Sequence, residues 1–290
     1  LRADQALACG PGYADFLQSL GRKAGIAIRD LDSLIAALRW HLDDLQQLGC
    51  RIADHGMDQV DVADSDPKRA EHALHSLMCG EAITHKDCLA LRSTVFLTLS
   101  REYQARGWTL LWHIGAKRAT STRLARAVPG AGGYASIGDH IDIDALVRLL
   151  DAMEQHQALP RTILFPLAPV DLEALACLSG SFVAAGEGPL LQLGPAWWYN
   201  DHRGGITRQL AAVAQYGVLG LSVGMTTDSR SFLSGVRHDY FRRLLCSQLA
   251  EWIELGELAD DQAMLQELID NICWRQAARI MALAVPEERT

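Results

Sequence analysis

Residues 224–233 read GMTTDSRSFL and directly follow the apolar run Val218-Leu219-Gly220-Leu221-Ser222-Val223. That run has the composition of a strand buried on both faces, as in a parallel sheet covered by helices. Its end is of opposite character. Asp228 stands two residues before Arg230, among small hydroxyl residues. On an extended segment residues two apart face the same side, so a carboxylate and a guanidinium are presented together. The guanidinium favours the ionised carboxylate, which then suits the work of a base, a metal ligand or both. Arg230 suits the neutralisation of a developing oxyanion. The plainer alternative is a salt bridge that closes a strand-to-helix turn.

Outward from this stretch the same pattern repeats. Residues 50–57, 109–115, 162–168, 190–198 and 218–226 read as strands. Helical spacing follows or separates them at 142–156, with Asp142 as N-cap, at 170–178 and at 204–216, and two closing helices are expected over 239–255 and 260–283. An amphipathic helix over 30–48 precedes the first strand. Strand and helix alternating in this way predict parallel strands joined by right-handed crossovers. Residues 58–108 are too long for one crossover and read as a helical insertion containing helices at 68–79 and 87–106. The polar residues collect at the strand ends: Asp54-His55, His113, Trp197-Trp198-Tyr199-Asn200-Asp201 and Asp228-Ser229-Arg230. That distribution favours part of an eight-stranded barrel over a doubly wound sheet. The whole chain, 1–290, is expected to form a single incomplete (β/α) barrel domain, closed by helices over 239–283.

Composition narrows the function. A net charge of −8 argues against nucleic acid as partner, and no apolar run approaches a membrane span. Seven cysteines, irregularly spaced and without a CxxC pair, suggest reduced, buried thiols and a cytoplasmic protein with no signal peptide. His55 and His113 suit ligation or hydrogen bonding to a substrate oxygen, and equally suit backbone hydrogen bonds at strand ends. Asp54 and His55 are adjacent, so their side chains should diverge on a regular strand. Trp197 and Trp198 offer a ring face for a sugar, although core packing is the expected fate of at least one. His72 and His75, three apart on a helix, read as a solvated face. Arg237 is close enough in sequence to reach the Asp228 site, and Tyr240, Phe241, Leu244 and Leu245 read as core. No G-x-S-x-G elbow, Walker loop or G-x-G-x-x-G motif follows a strand.

The stretch GMTTDSRSFLSGVRHDYFRRLLC (224–246) resembles the closing-strand signature of the uronate isomerases, amidohydrolase-superfamily enzymes with (β/α)8 barrels of the metal-dependent hydrolase type. Further similarity appears in order: RADQAL (2–7), GCRIADHGMD (49–58), LLWHIGAKR (110–118), SIGD (136–139), LPRTIL (159–164), GPAWWYND (194–201) and ICWRQA (272–277). The resemblance implies the C-terminal portion of such an enzyme, strands four to eight. It implies an intramolecular oxidoreductase of the aldose–ketose type, interconverting D-glucuronate with D-fructuronate and D-galacturonate with D-tagaturonate through an enediolate. A related metal-dependent hydrolase, or a non-catalytic fragment of the isomerase, is the alternative. Asp228 is implied as metal ligand and proton-transfer group, and Arg230 as enediolate stabiliser. Arg2 is implied to meet the substrate carboxylate. Asp54, His55, His113, Trp197, Trp198 and Arg237 are implied to line the substrate site. The cofactor implied is a divalent metal, zinc by expectation, whose His ligands would lie on an H-x-H segment outside these residues. The partner is a small hexuronate, and homo-oligomerisation is left open. The sequence departs from the family pattern at Ala3, Gln5, Ala135 and Ala168, where Pro, Lys, Asp and Asn are usual.

Overall fold

The computed structural model describes residues 2–60, 66–128, 133–184, 188–229 and 231–283. The chain divides into two compact units, Leu1–Leu111 with Asp142–Arg161, and Trp112–Ile141 with Thr162–Thr290.

The first unit contains helices α1 (Tyr13–Ala24), α2 (Leu31–Gln47), α3 (Pro67–Met78), α4 (His85–Ala105) and α5 (Ile143–Gln155), with strand β1 (Ile52–Met57) and the first half of β2 (Thr109–Ile114). Each of four helices starts where a side chain can satisfy its first amides. Asp30 and Ser33 form a capping box on α2, and Thr84 and Asp87 form another on α4. Asp66 accepts from the Arg69 amide at 3.0 Å, with Pro67 opening α3. Asp142 accepts from the Ala145 amide at 2.9 Å and caps α5 as the sequence predicts. Such caps contribute about 1 kcal/mol each. Leu31, Leu34, Leu38 and Leu42 form one buried stripe along α2. The Thr109 amide donates to the Arg51 carbonyl at 3.0 Å, setting β2 beside β1, and Leu110 donates to Arg161 at 2.8 Å. The expected insertion over 58–108 resolves into two different helices. Phe96, Leu99 and Tyr103 of α4 are buried, and α4 lies against β1 through Phe96 and Tyr103 on His55, so α4 serves as the crossover and α3 is the addition. His72 and His75 sit on the exposed face of α3.

The second unit completes β2 as Trp112–Ile114 and adds β3 (Thr162–Pro166) and β4 (Leu191–Leu193), with helices α6 (Leu172–Ser179), α7 (Arg203–Tyr216), α8 (Val236–Glu254) and α9 (Gln262–Asp270). The Leu167 amide donates to the Ile114 carbonyl at 2.9 Å, continuing β3 alongside β2. β3 and β4 are parallel, in register Thr162↔Leu191, Ile163↔Gln192 and Leu164↔Leu193. Every residue of β3 is buried, as a strand covered on both faces should be. Ile206, Leu210, Met225, Phe241, Leu245, Leu249 and Ile272 form a core cluster. The parallel α/β class is the expected one.

Four expectations need correction. The strand read over 190–198 ends at Leu193, because Pro195 has no amide to continue the pairing. The strand read over 218–226 is a 3-10 turn, Leu219–Leu221, followed by an extended but irregular stretch. There the Gly224 amide donates to the Ile272 carbonyl at 3.0 Å rather than to a neighbouring strand. Ile272 lies in a π-helical turn, Asn271–Arg275, in which the Gln276 amide bonds Asn271, leaving the Ile272 carbonyl open to Gly224. A Cβ on Gly224 would meet Ile272 Cγ2 at 2.6 Å and Phe241 at 2.7 Å, so only glycine allows the approach. Finally, Tyr240 is 38% exposed rather than core, and of the seven cysteines only Cys9 is buried, since the others fall on the outer or boundary faces of their elements. Among the described residues no helix is long and apolar enough to cross a membrane.

Gly205, in the first turn of α7, packs directly against the backbone of Asn200. An added Cβ would run into the Asn200 carbonyl oxygen, which is backbone and cannot rotate aside. Gly205→Ala is expected to cost about 3 kcal/mol of unfolding free energy. Gly235→Ala, with nothing within 4 Å of the new carbon, should change it by under about 1 kcal/mol. Urea denaturation of the two variants checks this, and equal small losses would contradict the close approach.

Candidate active site

In the first unit, charge gathers on β1. Arg2 forms an isolated parallel bridge with Asp54, so the RADQAL segment begins as a neighbour of the strand. The Arg2 guanidinium is 3.0 Å from Asp4 and 3.7 Å from Asp54. Asp4 also accepts from the Gly56 amide at 3.2 Å and lies 3.9 Å from His55 Nδ1. Asp54 and His55 diverge as adjacent strand residues must. Asp54 turns toward Arg2. His55 is fully buried, its Nε2 2.9 Å from the Tyr103 hydroxyl and its ring against Phe96. Its Nδ1 is buried without a hydrogen-bond partner. Burial holds the imidazole neutral and lowers its pKa to about 4, against the smaller opposite pull of Asp4 and Asp54. The enclosed ring lies beneath Asp4.

In the second unit an aromatic wall follows the strand tips. The half-buried His113 stacks on Phe165, with centroids 4.6 Å apart, and meets Trp197 edge-on at the same separation. The Trp197 indole donates to the Pro166 carbonyl at 3.0 Å, and its side chain is buried. Trp198 is 37% exposed, stacks on Tyr199 and has the Arg118 guanidinium 5.8 Å above its ring. Its φ of 53° is left-handed, a conformation that costs a bulky side chain energy and needs support. The support comes from the next residues. Tyr199 donates to the Ala135 carbonyl and Asn200 to the Leu167 carbonyl, both at 2.8 Å. The two tryptophans thus divide as expected, one into the core and one outward.

Asp228 ends the extended stretch after Gly224. It is exposed and has a φ of 41°. Arg237, in the first turn of α8, donates to the carbonyl of the preceding residue, Thr227, and pairs with Asp201, whose side chain is 7% exposed. Arg237 therefore ties the Asp228 turn to Asp201, just before α7. Arg230 lies outside the described residues.

Asp54 and Arg2 come together with Asp4 and His55; His113, Trp197 and Trp198 come together with Tyr199; Arg237 comes together with Thr227, next to Asp228. Asp4 and Tyr103 escaped sequence reasoning. Asp4 was legible only as a member of RADQAL, and Tyr103 sits in the last turn of α4 with no signal. Arg118 was visible in LLWHIGAKR but had no motif of its own. Among the described residues no group of three His, Cys, Asp or Glu side chains could hold a metal ion. The residues described here therefore do not by themselves fit a divalent-cation site.

The family model described as glucuronate isomerase matches residues 1–281. A uronate isomerase of Salmonella paratyphi B is 40% identical over 273 residues, which is 94% of this chain and 58% of the relative. The uronate isomerase of Salmonella typhimurium gives the same figures. In three dimensions the chain is similar to a uronate isomerase from Thermotoga maritima, with TM-score 0.87 and 24% identity over 97% of this chain and 60% of that one. A glucuronate isomerase from Caulobacter crescentus gives TM-score 0.84 and 24% identity over 99% and 58%. At that identity the structural likeness speaks for the fold. The chain spans less than two thirds of the length of these relatives.

The buried imidazole makes stability depend on pH with a definite sign. His55 has a folded pKa of about 4, below its unfolded value of about 6.5. The unfolded state binds more protons between these values, so stability is full above about pH 6.5 and falls as pH drops toward 4. Between pH 7 and pH 5 the protein is expected to lose about 2 kcal/mol more than His55→Gln does. Parallel pH profiles for the two proteins that coincide would contradict the neutral, enclosed ring.

Proposed function

The chain belongs to the glucuronate isomerase family, and from that premise we propose that it carries the C-terminal part of a uronate isomerase site. The reaction interconverts D-glucuronate with D-fructuronate and D-galacturonate with D-tagaturonate. Parallel βα units with polar residues at the strand tips support a place within a (β/α)8 barrel, whose chemistry collects at that end.

Isomerisation needs a proton taken from C2, charge held on the enediolate oxygens, and a proton delivered to C1. In this proposal Asp228 moves the proton, Arg230 neutralises the enediolate, and Arg2 meets the substrate carboxylate, which a guanidinium can clasp with two hydrogen bonds. Trp198 offers its exposed face to the sugar ring, backed by buried Trp197 and His113. Arg237 and His55 are positioning residues. A divalent cation, zinc by expectation, calls for ligands beyond Asp228. The observation that carries the proposal is the backbone at Asp228. An exposed carboxylate is held in a left-handed turn by Arg237 on the residue before it, and strain of this kind collects at functional sites.

The test uses the longest open reading frame that contains the chain, assayed on both aldouronates with and without a chelator. Asp228→Asn should lower turnover by about 10³-fold with little change in unfolding midpoint, because asparagine tolerates the left-handed conformation and the side chain is exposed. Residues 1–290 alone should give no measurable ketouronate, since one carboxylate makes a poor zinc site. Undiminished turnover in Asp228→Asn would overturn the role of Asp228, and steady ketouronate formation by residues 1–290 alone would overturn the need for further ligands.

A further inference from the structure

The RADQAL segment ends in a thiol. Cys9 has a φ of 44°, left-handed and strained for a residue with a Cβ, and its side chain is buried. Its sulfur lies 3.7 Å from the Cys88 carbonyl oxygen and within hydrogen-bond reach of the Cys88 side chain. Cys88, in the first turn of α4, is only partly buried. The Arg92 guanidinium, one turn further along α4, contacts the Cys88 sulfur at 3.6 Å and the Leu7 carbonyl at 3.1 Å. Tyr13 completes the surroundings, its hydroxyl donating to the Ala6 carbonyl at 3.1 Å and held protonated by burial and by the nearby Cys9 and Cys88 sulfurs.

We propose that Cys9 and Cys88 are a peroxide-sensitive thiol pair that closes to a disulfide. The two members have different surroundings, and these set their roles. Cys88 is the more accessible and has a cation on its sulfur, which favours the reactive thiolate. Cys9 is enclosed, and burial together with the contact to Cys88 holds its thiol protonated. Cys88 is therefore the attacking group and Cys9 the resolving one. The Cys88 thiolate attacks one peroxide oxygen. A sulfur–oxygen bond forms, the oxygen–oxygen bond breaks, and the departing hydroxide is protonated to water. The Cys9 sulfur then attacks the resulting sulfenic acid. The sulfur–sulfur bond forms, the sulfur–oxygen bond breaks, and the Cys9 proton leaves with the hydroxide as a second water. Two thiols lose two electrons in total, and one hydrogen peroxide becomes two waters.

The consequence lies at the other end of the same short segment. Residues 2–9 deliver Arg2 and Asp4 to Asp54 and His55. Oxidation would fasten the far end of that segment covalently to α4, and a reducing thiol would release it. Of the other cysteines, Cys79 contacts His75, Cys50 contacts the Ile52 carbonyl, and Cys246 lies near Cys273.

The experiment treats the purified chain with stoichiometric hydrogen peroxide and counts thiols with Ellman's reagent in denaturant. Seven thiols should fall to five, and dithiothreitol should restore them. Peptide mass mapping should find Cys9 linked to Cys88 with the loss of two hydrogens. In Cys9→Ser the reaction should stop at a Cys88 sulfenic acid trapped by dimedone. Cys88→Ser, at a partly exposed position, should leave Cys9 unoxidised and serves if the Cys9 variant folds poorly. Retention of all seven thiols, linkage between any other cysteines, or a Cys9 that oxidises equally fast in Cys88→Ser would each overturn the proposal.

Discussion

The Arg237 guanidinium joins two pieces of chain that the sequence keeps far apart. It pairs with Asp201 beyond the tip of β4 and donates to Thr227, the residue before Asp228. Asp201 is almost wholly buried, and a buried carboxylate is tolerable only with a charged partner and further hydrogen bonds. The geometry of the candidate site depends on this link. Among the described residues the stretch 222–227 has no strand neighbour, and it is held at Gly224, by the Ile272 carbonyl, and at Thr227, by Arg237. With both ends fixed, Asp228 can sit in an unfavourable backbone conformation and still present its carboxylate to solvent.

The other unit uses burial rather than pairing. His55 is surrounded by Tyr103 and Phe96 and stays neutral at physiological pH, so the charges above it are set by Arg2, Asp4 and Asp54 alone. The Arg2 side chain is more than half exposed while contacting both carboxylates. An exposed pair of this kind contributes little to stability, which leaves the guanidinium able to exchange its partners for a ligand carboxylate.

Much of this was legible in the sequence where local chemistry decides the outcome. The Asp142 cap, the amphipathic pattern of α2 and the apolar run of β3 each specify their element without help from distant residues. The alternation rule alone separated Asp54 from His55. The sequence was misleading where a distant residue decides. Val218–Met225 is apolar enough for a strand, yet its amide at Gly224 is claimed by a carbonyl exposed in the π turn of Asn271–Arg275, nearly fifty residues later. The roles of Arg237 and Tyr103 depend on what the fold brings to them. An arginine at a helix start and a tyrosine in a helix's last turn have no periodicity that announces a partner. The paired thiols of Cys9 and Cys88, 79 positions apart, were hidden for the same reason, whereas the irregular spacing of the seven cysteines hinted only at reduced thiols.

The central claim is that Arg237 and Asp201 act as one unit to hold the Asp228 turn. A double-mutant cycle on unfolding free energy measures it most directly, using Arg237→Met, Asp201→Asn and the combination. Arg237→Met should cost about 3 kcal/mol, because it strands a buried carboxylate, and much of that loss should vanish in the Asp201→Asn background, giving a coupling of about 2 kcal/mol. Additive effects, or an Arg237→Met loss below about 0.5 kcal/mol, would contradict the account.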